Sequence, residues 1–265
     1  MKKKWILVVL IFVLVLSLTA CSPKATDKLS EIKDKGKMVA GLSADYPPFE
    51  YVDANGNLAG FDVDLVNEIA RRMGVEVEFV DMPFDSLVAA VQEGKIDLSA
   101  SAFNYSEDRD KMVDFTDPYY TSKDRFLVAE SFTTEIKAPE DFAAFKIGVG
   151  TGTTQDAWLT ENLVDAGLMP SDNLFRYDRA DQAALDVKAG RIDVYMGDNA
   201  VVDALAAQLG GLKVAFEAEV SSGPVMMVIP EGAVELKAVL NEHINAMLKE
   251  GFVDQLAVKH IGGSE

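Results

Sequence analysis

The sequence predicts an α/β protein of two lobes, each wound around its own mostly parallel sheet, with the chain crossing between them twice. Three observations carry that expectation. Short β-branched apolar runs alternate with amphipathic helical stretches along most of the chain, the pattern of strands joined by covering helices. Val91-Gln-Glu-Gly-Lys-Ile-Asp-Leu98 recurs 96 residues later as Val187-Lys-Ala-Gly-Arg-Ile-Asp-Val194, the echo that two similarly wound sheets would leave. And 245 of the 265 residues follow an export signal, enough for one large or two ordinary domains.

Residues 1–20 are that signal: three lysines, an apolar run from Trp5 to Leu16 and then small residues. The run is short for a membrane span, though an uncleaved anchor would leave the remainder on the same side of the membrane. Leu18-Thr19-Ala20-Cys21 looks like a lipoprotein box, which implies a lipidated Cys21 as the mature N-terminus. Cys21 is the only cysteine, so neither a disulfide nor a thiol metal site is expected. Residues 21–36 read as a lipidated, lysine-rich tether that ends in a short helical start, Leu29–Lys35. Without the three signal lysines, 22 basic residues face 43 acidic ones, a formal charge of −21. That balance excludes nucleic acid as a partner, since its binding depends on basic patches. It suits solubility, or an electrostatic pull on cationic solutes.

Met38–Leu42 reads as the first strand. Pro47 and Pro48 forbid helix and ladder in Ser43–Glu50, and Asp53–Asn57 is a turn with Asn-Gly at its tip. A helix starts at Gly60–Asp64 with Leu65, Val66, Ile69 and Met73 on one face. Val75–Val80 follows as a strand and Phe84–Gln92 as a helix. Phe49 reads as core, whereas Tyr46 and Phe84 lie in loops after strands, where open α/β sheets bind ligands. Residues 94–120 are the densest stretch. The apolar run Ile96–Leu98 suits a buried strand and stops at Ser99, Ser101 and Asn104, polar residues that have no reason to be core. Arg109 follows, then a strand-like Met112–Phe115. A guanidinium there could grip a carboxylate with Ser101 and Asn104 beside it; pairing with Asp108 or Asp110 on the surface is the usual fate of such an arginine.

In the second half, Phe126–Ala129 reads as a strand that crosses over, and Lys146–Val149 opens the new sheet. Gly148-Val-Gly-Thr-Gly-Thr-Thr-Gln155 is no nucleotide loop, because Thr153 occupies the place of the third glycine and no Gly-Lys-Ser/Thr follows. No cofactor is expected. What remains is a glycine turn into a helix, Asp156–Ala166, that presents amides and the Thr153 and Thr154 hydroxyls to an anion, or an ordinary threonine cap. Ile192–Met196 is the next strand, Asp198 a helix cap by position, and Val201–Leu209 a helix. Val214–Val220 returns to the first lobe, Met226–Ile229 is a strand, and Val234–Leu248 is an amphipathic helix before a last short one at Gly251-Phe252. His243 and His260, the two histidines, read as surface residues. The divisions expected are 37–122 with 221–265 for lobe 1 and 123–220 for lobe 2, with crossings near Thr121–Asp124 and Ala218–Ser222.

The run Gly94-Lys-Ile-Asp97, the small polar residues, Arg109 and Val113-Asp-Phe-Thr-Asp-Pro-Tyr-Tyr120 resemble the amino-acid-binding branch of the bacterial extracellular solute-binding proteins, family 3. These are the receptors that feed ABC importers. The resemblance implies the type II periplasmic-binding-protein fold and lobes that close on one amino acid. It implies that Arg109 grips the α-carboxylate with Thr154 opposite, that Asp198 receives the α-ammonium, and that Tyr46 and Phe84 flank the side chain. Ser43, Ser101, Ala102 and Asn104 fall on further contact positions. Ser43 stands where binders of basic amino acids often carry aspartate, which points to a neutral polar ligand, with Asp45 near enough to keep a cationic one in view. A monomer on the outer face of the cell membrane or in the periplasm, delivering to an ABC permease, is the implied assembly. Two rival classes share the fold: a cyclohexadienyl-dehydratase-like enzyme, in which a cleft carboxylate would act as general acid, and a tethered sensor of amino acids. No catalytic triad or metal cluster is legible.

Overall fold

The computed structural model describes residues 27–262; the segment expected to be an export signal, Cys21 and the start of the expected tether, up to residue 26, lie outside the described residues. None of the helices it describes is long and apolar enough to cross a membrane. Helix α1 (Lys28–Lys35) begins on Asp27, whose carboxylate accepts from Ser30 N at 2.9 Å, and ends on Gly36 at φ 64°. Both are the residue types that helix ends require.

Lobe 1 is built on β1 (Lys37–Leu42), β5 (Glu76–Asp81), β6 (Leu98–Asn104), β7 (Val113–Phe115), β8 (Tyr120–Thr121) and β14 (Pro224–Pro230). Their order is β5-β1-β6-β14-β7, with β8 also on β14. Lobe 2 holds β9 (Asp124–Ala129), β10 (Ile147–Gly150), β11 (Leu174–Tyr177), β12 (Val194–Asp198) and β13 (Leu212–Ala218), ordered β11-β10-β12-β9-β13. The two orders are one plan used twice. In each sheet every strand but one runs the same way, and the reversed strand is the one reached directly from the other lobe: β9 after the first crossing, β14 after the second.

The echo between residues 91–98 and 187–194 marks equivalent places in that plan. Asp97 accepts a hydrogen bond from Val39 N in β1 and Asp193 from Lys146 N just before β10, both at 2.9 Å, so each aspartate ties its turn to the neighbouring parallel strand of its own sheet. Gly41 in β1 and Gly148 in β10 leave room for the δ-methyls of Ile96 and Ile192, which a β-carbon at either glycine would strike.

Helices cover both faces. In lobe 1, α2 (Phe61–Met73) and α8 (Val234–Lys249) pack on one side with Leu65, Val66, Ile69, Leu240 and Ile244 wholly buried. Helix α3 (Phe84–Gln92) packs Leu87 and Val91 on the other side, against Ile96 and Phe103. Helix α4 (Glu107–Asp110) is one turn, capped by Ser106. A small meander, β2 (Asp45–Tyr46), β3 (Glu50–Val52) and β4 (Leu58–Ala59), carries the Asp53–Asn57 turn between its last two strands. Lobe 2 has α5 (Thr154–Leu159), continued by a π-helical turn over Thr160–Val164, then α6 (Ala180–Lys188) and α7 (Asn199–Leu209). Helix α9 (Phe252–His260) ends the described chain.

Several elements differ from the sequence expectation, each for a local reason. Strand β6 starts at Leu98 and runs through Ser99, Ser101 and Asn104, all buried, because their polar atoms are bonded inside the fold. Ser99 Oγ, for example, donates to Gly41 O at 3.0 Å. Helix α5 starts at Thr154 because Thr153 is its cap, the Thr153 hydroxyl accepting from Asp156 N at 3.1 Å. Asp45 and Tyr46 pair with β3 despite the prolines, which occupy the connecting turn. Strand β13 is an edge of the second sheet, so the return to lobe 1 comes after Ala218. His243 and His260 are half-buried rather than exposed, and His260 Nε2 lies 2.7 Å from Asp64 Oδ2.

Candidate functional site

The ends of the strands meet in a cleft between the sheets, the place where open α/β sheets bind ligands. Ser43, Tyr46, Phe84, Ser101, Ala102, Asn104 and Arg109 line it from lobe 1, and Thr154 and Asp198 from lobe 2. All nine positions expected from the sequence are therefore together. A β-bulge shapes the lobe 1 side: between the pairs Val228–Ser99 and Met226–Phe103, strand β6 sets three residues against one of β14. Ala102 sits in that bulge at φ 46°, a left-handed conformation that costs a residue with a β-carbon about 1–2 kcal/mol. Asp62 holds it there by accepting from Ala102 N at 2.8 Å.

Arg109 is 8% exposed. Its guanidinium lies 5.3 Å from the ring centroid of Phe84 and 5.0 Å from that of Phe103, a cation set beside a stacked aromatic pair whose centroids are 4.5 Å apart. Among the described residues its hydrogen bonds go only to main-chain carbonyls, Nη1 to Asn104 O and Nη2 to Gly152 O, each at 2.9 Å. Burial pushes its pKa down to about 10, with the charge of Asp198 acting the other way, so it is cationic at neutral pH. It is not the surface ion pair that its acidic neighbours suggested; Asp108 pairs with Lys111 instead.

Asp198, 3% exposed, is the opposite pole. It stands in the cap position of α7 without bonding that helix's amides through its side chain. Instead Oδ2 accepts from the Tyr46 hydroxyl at 2.9 Å, and Oδ1 from Ser222 Oγ at 2.9 Å and Gln155 Nε2 at 3.3 Å. Burial raises its pKa to about 6, against the lowering pull of the Ser122, Tyr46 and Ser222 hydroxyls, while Asp124 pushes it further up. Thr154 Oγ1 faces Asn104 Oδ1 at 3.5 Å, and Asn104 Nδ2 donates to Ser122 Oγ at 2.9 Å. Ser43 Oγ donates to Asp45 Oδ1 at 2.7 Å, and Ser43 N to Ser101 Oγ at 3.1 Å.

The lobes touch across the cleft at Tyr46–Asp198, at Arg109–Gly152, and at Asp45, whose Oδ2 accepts from Ala180 N at 3.0 Å. That last bond caps α6 from the other lobe, since Arg179 in its own cap position makes no side-chain cap bond. The crossings are fastened to each other: Asp124 Oδ2 accepts from the amides of Val220, Ser221 and Ser222 at 2.8–3.0 Å and Oδ1 from the Ser221 hydroxyl at 2.7 Å, while the one Ser222 hydroxyl proton is shared between Asp124 Oδ1 and Asp198 Oδ1.

Sequence reasoning missed Glu50, Gln155, Ser122, Ser222 and the Gly152 carbonyl. Glu50 follows the core residue Phe49 in β3, and both are wholly buried, so no alternation marks it. Ser222 lay in a segment read only as a crossing. Among the described residues no group of three or more His, Cys, Asp or Glu is placed to hold a metal ion.

Known proteins resemble this chain in sequence and in fold. The chain is 29% identical over 235 residues to the L-cystine-binding protein of Escherichia coli (strain K12), covering 88% of this chain and 86% of that one. It is 31% identical over 228 residues to the L-arginine-binding protein of Pseudomonas aeruginosa, covering 83% and 86%. The crystal structure of the P235GK mutant of ArgBP from T. maritima superposes with a TM-score of 0.81 at 35% identity, over 88% of this chain and 98% of that one. The model of the family matches residues 38–263, most of the chain, and with the doubled sheet plan it identifies this protein as a member of the bacterial extracellular solute-binding proteins, family 3.

Proposed function

We propose that this protein captures one free α-amino acid outside the cytoplasm and delivers it, on closure of the lobes, to an ABC permease. The observation that carries the reading is a pair of buried opposite charges in one cleft. Arg109 and Asp198 come from different lobes, and among the described residues neither meets a counterion. Buried charges left without partners are costly, and the two ends of a zwitterion would satisfy both at once. Arg109, with the Thr154 hydroxyl opposite, takes the α-carboxylate; Asp198 takes the α-ammonium; Tyr46 and Phe84 flank the side chain. A ligand that touches both lobes binds the closed form better than an open one, and that difference drives closure. Relatives named for amino acids support the class of solute. Lipidation of Cys21 would hold the receptor at the membrane beside its permease.

Thermal unfolding of the signal-free protein against the twenty amino acids tests this directly. One or a few should stabilise by about 2.7 kcal/mol at a hundred times their dissociation constant. Silence from all twenty contradicts the reading. The buried carboxyl groups with raised pKa values favour one rival, a dehydratase in which such a group serves as general acid. Consumption of prephenate by the protein would move that rival ahead.

A further inference from the structure

The turn that faces Arg109 is braced from behind by an ion pair that the clamp leaves without a role. Residues 150–154 leave β10 and enter α5, and the tip of this turn meets lobe 1 twice. Gly152 O accepts from Arg109, and a β-carbon at Gly152 would come within 3.2 Å of the Asp85 side chain in α3. Asp156 holds that tip from lobe 2. It is the third residue of α5, where an acid ordinarily reaches back to the amide of the cap residue. Here the cap amide, Thr153 N, turns to Gly150 O at 3.4 Å, and Asp156 Oδ2 accepts instead from Gly152 N at 3.1 Å, one residue further out. Arg176 fixes the carboxylate in that reach. It stands opposite Val149 on β11, the edge strand beside β10. Its Nε–H is shared between Asp156 Oδ1 and Oδ2 at 2.9 and 3.0 Å. Thr160 Oγ1 closes the ring, accepting from Arg176 Nη2 at 2.8 Å and donating to Asp156 Oδ1 at 3.3 Å. Gly152 thus has its amide on Asp156 and its carbonyl on Arg109, and joins the brace to the guanidinium.

An acid in this place endangers the site it supports. Thr154, which with Arg109 would take the α-carboxylate, lies two residues before Asp156, and Asp156 is only 8% exposed. A buried charge of the same sign beside an anion site costs affinity. Asp85 and Asp178, the other acids at the turn, are exposed, so water and salt screen them. Among the described residues the one ion pair of Asp156 is with Arg176. Resting on the amino-acid reading above, we propose that Asp156 and Arg176 are positioning residues of the carboxylate grip. The pair fixes Gly152 against Arg109, and Arg176 cancels the charge by which Asp156 would repel the α-carboxylate. Neither side chain touches the solute. The positive charge of Arg176 therefore governs affinity for the carboxylate end of the solute and leaves the ammonium end alone.

Isothermal titration calorimetry at pH 7.5 reads the effect with two probes, the best-bound of the twenty amino acids and the amine that its decarboxylation leaves. Arg176→Ala should weaken the amino acid about tenfold and the amine less than about twofold, because only the amino acid carries the repelled charge. Adding Asp156→Asn to Arg176→Ala should restore most of the loss, since an amide oxygen still accepts from Gly152 N and the negative charge is gone. Arg176→Lys keeps the positive charge and should keep most of the affinity. A brace that acts through structure alone would weaken both probes alike and gain nothing from the second substitution. That result, or amino-acid affinity unchanged in Arg176→Ala, would overturn the proposal. Affinity lost in Arg109→Ala but kept in Arg176→Ala would overturn it and leave the clamp standing; failure of all twenty amino acids to bind would overturn both.

Discussion

Asp198 occupies the position of a helix cap and spends its carboxylate elsewhere, on Tyr46, Ser222 and Gln155. Every one of those partners is a neutral donor, and a carboxylate bonded only by neutral donors in a buried place keeps an elevated pKa, here about 6 against an ordinary 3.8. The sign of the consequence is fixed. The folded, ligand-free protein binds this proton more tightly than the unfolded chain does, so it loses stability as pH rises from about 4 through about 6. An α-ammonium needs the ionised form, so affinity for an amino acid should fall about tenfold for each pH unit below 6. Calorimetry between pH 4.5 and 7.5 checks this, and a flat profile would remove Asp198 from the ammonium site. Arg109 shows the complementary case, a guanidinium oriented by two main-chain carbonyls and two rings and left without an acid. Its place in the sequence, between two aspartates, suggested a surface pair. Only the resemblance pointed inward, because burial of one member of a charge run leaves no local trace.

At the scale of elements, the strand–turn–helix order was readable from periodicity and from glycine and proline punctuation, and Phe84–Gln92 has the bounds expected of it. The polar strand β6 was harder to read. A strand through Ser99, Ser101 and Asn104 carries no apolar signal, and its partners, Gly41 O, Glu50 and Ser122, lie 18 to 58 residues away in the chain. The echo at 96 residues proved more informative than its eight positions suggested, since the aspartate and the isoleucine of both copies do the same work in both sheets. That equivalence predicts a matched pair of defects. Gly41→Ala and Gly148→Ala should each destabilise by about 1–3 kcal/mol, because the new methyl meets the δ-methyl of a stiff, buried isoleucine. Ile96→Val and Ile192→Val remove those methyls and should recover part of the loss in the respective double variants. Urea unfolding measures all four; losses that are simply additive would show that the isoleucines are not what the glycines accommodate.

The whole molecule is two lobes joined by two crossings, with latches between them inside the site. Asp124, on the first crossing, collects three amides and the Ser221 hydroxyl of the second and shares the Ser222 hydroxyl with Asp198, so the two crossings are tied to each other. Asp45 caps a helix of the other lobe, and Tyr46 reaches Asp198 across the cleft. Both bonds span the cleft and involve or adjoin the residues that would contact the solute in the proposed clamp. Two lobes and two crossings were legible from the echo and from the length of the chain. The latches were not, since a bond between residues 45 and 180 is a product of the fold rather than of any local pattern. The central claim is that one solute is held at both ends, by Arg109 in one lobe and Asp198 in the other. The most direct measurement is calorimetric affinity for the best-bound amino acid in the wild type, Arg109→Ala and Asp198→Asn, with its decarboxylated amine as a second ligand. The account predicts that each substitution weakens the amino acid by about 2–5 kcal/mol. It also predicts that the amine binds the wild type as weakly as the amino acid binds Arg109→Ala. Undiminished affinity in Arg109→Ala, or an amine that binds as tightly as the amino acid, would contradict it.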